Sequence, residues 1–263
     1  LTNAIVKKGS KITINKNLEG STEYKSISFI SGTTAKATIV SETGVATGVA
    51  AGTSTITCTV TNYDGTTIKG TCILTVVDLQ YSPNGGSYAL PYTDSTAGTA
   101  TIKSTVTISG ATTSQYAWTA SSKTEPTSWS TSNVATGGTP SKTSTYEATY
   151  YLWNKIADEN GNYVTYVSNA FVITANKITI TPSTTTMTNK DITCTIAYPS
   201  ATTSSTRKAG YGTSLSSAKT AAGSATAPTT NLTVTENGVV YAEATETAGN
   251  KVTASLQISN IDK

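Results

Sequence analysis

The chain has 263 residues, enough for two or three small sandwiches, and a near-neutral balance of 18 basic and 15 acidic residues. It contains no histidine, which removes Ser-His-Asp and Cys-His catalysis and every His-ligated metal site. The lysines are scattered and no apolar run approaches the roughly 20 residues that span a bilayer, so neither nucleic acid nor membrane insertion is expected.

Thr supplies roughly a fifth of the residues. It is β-branched, and its hydroxyl suits the wet face of a half-buried sheet. In chain order, Ile5-Val6, Ile12–Ile14, Ile27–Ile30 and Ala37–Val40 are short strand candidates. Gly9-Ser10, Glu19-Gly20, Gly32-Thr33, Thr43-Gly44 and Ala51-Gly52 punctuate them. Two longer alternating runs follow, joined at Asp64-Gly65. Ile56, Cys58 and Val60 share one face of the first, and Cys72, Leu74 and Val76 one face of the second. Asp-Gly between such runs predicts a hairpin.

Within this stretch ATIVSETGVATGVAAGTSTITCTV, followed by a turn and GTCILTVV, resembles the bacterial immunoglobulin-like domain of group 2. Gly44, Val45, Thr47, Gly48, Val49, Gly52, Thr53, Ile56 and Val60 carry the pattern. The resemblance implies turn roles for Gly48 and Gly52 and a core role for Ile56 and Val60. It covers about the second half of the first 78 residues and implies no active site.

A second unit is expected from Leu79 to Thr174. Its strands are placed at Thr99–Ile102, Thr105–Ile108, Gln115–Trp118, Tyr146–Ile156 and Tyr163–Ile173, around a long polar loop, Ser121–Thr143. A third, Ala175 to Lys263, has strands at Lys177–Thr181, Ile192–Tyr198, Leu232–Thr235, Val239–Thr245 and Lys251–Ile258, and a second long loop, Ser200–Thr230. The two units read as copies. Laying Gly161-Asn162 on Gly249-Asn250 places Trp153 on Tyr241 and Val106-Thr107-Ile108 on Cys194-Thr195-Ile196. A period of about 90 residues resembles the immunoglobulin-like repeats of bacterial surface and phage virion proteins. The expected fold is therefore all-β: three tandem immunoglobulin-like β-sandwich domains (1–78, 79–174, 175–263), joined by short linkers near Asp78 and Ala175. The opening at Leu1 rather than Met reads as a segment of something longer.

Chemistry is sparse. Cys58 and Cys72 face the core across the Asp64-Gly65 turn; buried free thiols and a strained cross-strand disulfide both stand as readings, the first preferred. Cys194 also patterns as core. Asp158, Glu159, Asn160 and Glu246 offer oxygens for Ca²⁺, but one acidic turn supplies too few, and a hairpin turn is the plainer reading. Trp118 and Trp153 pattern as core. Trp129 and Asn133, in the polar loop, are the candidate ligand contacts. No catalytic residue, metal or cofactor is expected. The role implied is a non-catalytic spacer, stalk or adhesive module, extracellular on a bacterial surface or phage particle. Its partners would be neighbouring domains and a cell-surface glycan or protein receptor. The alternative is a carbohydrate-binding accessory region of a secreted enzyme.

Overall fold

The computed structural model describes residues 1–18 and 23–263; the expected turn at Glu19-Gly20 lies outside them. The chain is all-β, of immunoglobulin-like sandwiches, and forms two compact units. One comprises Leu1–Gly86, Lys103–Lys142 and Tyr150–Ala170, the other Ser87–Ile102, Thr143–Thr149 and Phe171–Lys263.

The first unit is built on the predicted hairpin. Gly52–Thr61 and Thr67–Ser82 pair antiparallel with Ile56 opposite Cys72, and they turn at Asp64-Gly65. Gly65 takes φ +86°, and the Asp64 carboxylate accepts hydrogen bonds from the Thr66 backbone N–H (2.9 Å) and hydroxyl (2.7 Å). The hairpin is flanked by Ala4–Lys7 on one side and Ser26–Ser31 on the other. A smaller sheet of Lys11–Thr13, Val45–Gly48 and Ala37–Ile39 lies opposite. Between them Ile56, Leu74, Val76 and Phe29 are buried, as the alternation requires. Gly52 is at positive φ (+133°), as its turn role implies. Gly48 has a different role. It ends a strand, and a Cβ there would lie 2.9 Å from both the Lys7 carbonyl and a Val76 methyl.

The register also settles the thiols. Cys58 faces Gly70 and Cys72 faces Ile56, so the two cysteines are diagonal rather than directly opposite. Diagonal neighbours sit too far apart for a disulfide, and all three cysteines are free and buried.

No linker interrupts the chain at Asp78. Thr67–Ser82 continues through it as one 16-residue strand, and residues 78–82 pair with Thr105–Ser109. The reason is local. Val76 and Val77 are both buried, so the strand is covered on both faces where it leaves one core and enters the next. Leu79 resumes the alternation, and no proline intervenes before Pro83. Ala175 likewise lies within a strand, Phe171–Asn176. Further along the first unit, Gln115–Ala120 pairs with Tyr150–Lys155, and Trp153–Ala157 pairs with Tyr163–Val167. Trp153 is buried on this sheet, as expected, and Trp118 is half-buried.

In the second unit Thr179–Pro182, Ile192–Ala197 and Asn231–Val234 form one sheet. Lys208–Gly212, Gly238–Thr245 and Lys251–Ile258 form another. Ile192, Cys194, Val240 and Ile258 are buried together. The expected Ser200–Thr230 loop holds the strand Lys208–Gly212 and a helix, Leu215–Gly223. Ser214 caps the helix, accepting from the Ser217 N–H. Ala218 and Ala222, one turn apart, lie against a strand that has glycine at 210 and 212; a Cβ at Gly210 would sit 2.2 Å from the Ala222 nitrogen.

The first unit should unfold as one body. Ile108→Ala, in the apolar cluster beyond Val77, should cost about 2–5 kcal/mol. In a Cys194→Ala background, urea curves followed by Trp fluorescence and by Cys58/Cys72 labelling should shift together. Movement of the fluorescence curve alone would show two independent halves.

Candidate functional site

Two features of the first unit concentrate the residues that bear on function. The first is the junction around Val77. Ile5, Val77, Leu79, Ile108 and Ile156 form a buried cluster, with Tyr81, Val164 and Tyr166 packed against it. The Tyr166 hydroxyl donates to the Val77 carbonyl at 2.8 Å, and Lys7 Nζ stands 5.0 Å from the Tyr166 ring centre. Asn162, next to the turn glycine of its hairpin, donates from Nδ2 to the Asn3 carbonyl at 3.0 Å. Gly110 comes closer still. It takes φ +83°, and a Cβ there would fall 2.1 Å from the Val76 carbonyl oxygen, so only glycine fits. Burial raises the Tyr166 phenol to about 12, with the Asp78 carboxylate adding to the shift.

The second feature is the loop carrying the candidate contacts. Read from the sequence as a long polar loop, it is stitched down. The Tyr116 N–H donates to Ser130 Oγ (3.0 Å), the Ser130 N–H donates to the Tyr116 carbonyl (2.8 Å), and Gln115 Nε2 donates to the Ser130 carbonyl (3.2 Å). Val134–Ala135 adds an edge strand against Ser114 and Thr113. Gly137 and Gly138 exchange backbone bonds with Val106. Removing Thr131–Gly138 would therefore strip bonds from two strands.

Trp129 is half-buried over the sheet, its ring centre 5.9 Å from Lys155 Nζ. Asn133 is exposed beyond the Ser130–Ser132 turn, where Ser130 Oγ donates to the Ser132 carbonyl at 2.7 Å. Lys155 also approaches Tyr163, 4.3 Å from ring centre to ammonium, and Lys123 lies 5.4 Å from the Tyr151 ring centre. Sequence reasoning groups Trp129 with Tyr151 and Tyr163 as aromatics of this region but does not name Lys155 or Lys123 as their companions. The available signal is the alternation that puts Tyr151, Trp153 and Lys155 on one strand face.

The acidic turns are spent internally. Asp158 Oδ1 accepts from the Asn160 and Asn162 N–H groups, both at 2.9 Å, and Oδ2 accepts from Asn162 Nδ2 at 2.9 Å. Glu246 is buried, its two oxygens taken by Asn176 Nδ2 and Asn250 Nδ2. Among the described residues no three His, Cys, Asp or Glu side chains gather as a metal ion would need. The thiols of Cys58, Cys72 and Cys194 are raised by burial. No helix among the described residues is long and apolar enough to cross a membrane.

No family model and no curated protein sequence matches the chain. Similarity to solved structures is distant. The human desmocollin-1 ectodomain is 10% identical, with TM-score 0.26; the match covers 99% of this chain and 60% of that one. An I-band fragment of titin is 10% identical over 100% of this chain and 96% of that one, with TM-score 0.33. The full ectodomain of mouse nectin-like molecule 4 is 12% identical over 100% and 98%, also with TM-score 0.33. At such scores the likeness carries no argument about function, and the fold class rests on the strand order itself.

The phenol at the junction gives a pH signature. An unfolded tyrosine ionises near pH 10, and Tyr166 in the fold near 12. Its contribution is therefore fully present below about pH 10 and is lost as pH rises through about 12. Urea midpoints for wild type should fall more steeply over that window than those of Tyr166→Phe. Parallel curves would remove Tyr166 from the junction.

Proposed function

We propose that this chain is a stiff, non-catalytic spacer carrying an adhesive surface, part of an extracellular protein of a bacterial cell or phage particle. The observation that carries the reading is the uninterrupted strand Thr67–Ser82, which belongs to two sheets in turn. A spacer must hold its repeats at a set angle. A flexible tether would place Gly, Ser or Pro at Asp78, where this chain places Val77 and Leu79, both buried. Proximity of the two cores is then fixed by backbone hydrogen bonds and an apolar cluster together. We assign the three repeats to 1–78, 79–174 and 175–263 and the first to the group 2 bacterial immunoglobulin-like pattern, on the residues from Gly44 to Val60 described above. Partners on this reading are neighbouring domains of a longer chain and a surface receptor, with Trp129 and Asn133 on the contact side. Rigid presentation also favours weak, repeated contacts, because it preserves effective concentration.

Stiffness is measurable directly. Spin labels at Tyr63→Cys and Ser128→Cys, both exposed positions of the first unit, should give a narrow distance distribution by pulsed electron resonance. Inserting Gly-Ser-Gly-Ser between Val77 and Asp78 should broaden it. A broad distribution in the wild-type chain would overturn the spacer reading.

A further inference from the structure

We propose that the surface formed by Trp129, Lys155, Tyr163, Lys123 and Tyr151 binds an acidic polysaccharide, a chain of sugar rings carrying carboxylates. The inference is independent of stiffness, since a flexible chain could carry the same surface.

The strand register builds the site. Lys155 lies opposite Gln115 on one side and Thr165 on the other, and Tyr163 pairs with Ala157 one step along. Tyr151 and Lys155 therefore share a face, roughly 13 Å apart along their strand. The stitched loop brings Trp129 over this face from above. Tyr163 is half-exposed, Lys123 is exposed, and Trp129, Lys155 and Tyr151 are partly open to solvent. Each ammonium sits against a ring: Lys155 against Trp129 and Tyr163, Lys123 against Tyr151.

Charge selects the ligand. Neither Lys155 nor Lys123 is in an ion pair among the described residues. The Glu125 carboxylate accepts from the Thr165 hydroxyl at 3.1 Å, and Asp158 and Glu159, at the hairpin tip beyond Tyr163, are engaged by Asn160, Asn162 and Asn3. The two ammonium groups at the rings are thus left to meet an anionic ligand, while the neighbouring carboxylates are held by Thr165 and by the asparagines of the turn. The rings supply apolar faces of the size of a pyranose, onto which C–H groups can stack. An anionic ligand without rings would use only the lysines, and a neutral sugar only the aromatics. The surface offers both, rings and ammonium groups side by side, as an acidic glycan requires.

Affinity electrophoresis of the full chain tests this, with polygalacturonate, dextran and polyglutamate as the immobilised polymers. The expected result is retardation by polygalacturonate at least tenfold stronger than by either of the others. It should be weakened about tenfold by Trp129→Ala or by Lys155→Met, and should fall with added salt. Where Trp129→Ala lowers the melting temperature, Tyr163→Ala, at the exposed start of its strand, takes its place. Three results would overturn the proposal: no retardation by polygalacturonate, equal retardation by polyglutamate, or wild-type retardation in folded Lys155→Met.

Discussion

The first unit depends on one strand being shared by two sheets. Thr67–Ser82 bonds to Gly52–Thr61 along its first half and to Thr105–Ser109 along its second. Ladder hydrogen bonds are individually modest, but a break at Asp78 would also expose Val77 and Leu79, the centre of the cluster that follows. The geometry of the junction is thus set by the same contacts that stabilise it. Gly110 shows how tightly: the turn it occupies presses on the Val76 carbonyl with no room for a side chain.

That arrangement explains why the ordinary signals of a domain boundary are missing at Asp78. A boundary is normally marked by polar or Gly/Pro-rich sequence, where few contacts cross. Here the two apolar residues Val76 and Val77 stand side by side. Read alone, they are a strand end with one residue out of phase. In the fold they point into different cores, and the apparent fault in the alternation marks the place where the buried face changes sides.

Much of the fold was legible from period-two patterning. Lys251–Ile258 falls where its alternation places it, and Ile56, Cys58 and Val60 turn inward with Cys72, Leu74 and Val76. The sequence alignment that lays Trp153 on Tyr241 finds a buried aromatic at both positions. What escaped was structure without such a period. The helix Leu215–Gly223 has no broad apolar stripe; its seat is made of Ala218 and Ala222 against a glycine-bearing strand, and only the Ser214 cap and the alanines announce it. The strand expected across Tyr163–Ile173 divides into Tyr163–Val167 and Phe171–Asn176. The Trp129 loop looked free because its anchoring is a set of serine and backbone bonds at Ser130, which no spacing rule foresees. Trp129 itself was singled out by its polar surroundings; Lys155 emerges beside it only once the loop is laid on the sheet.

Hydrogen exchange across the shared strand tests the central claim most directly. If Thr67–Ser82 is one strand, the ladder amides on either side of Asp78 should be protected to a similar degree, and the Val77–Leu79 stretch should exchange no faster than Leu74–Val76. Fast exchange confined to residues 77–79, between two protected segments, would mean a hinge at Asp78 and would contradict a stiff junction.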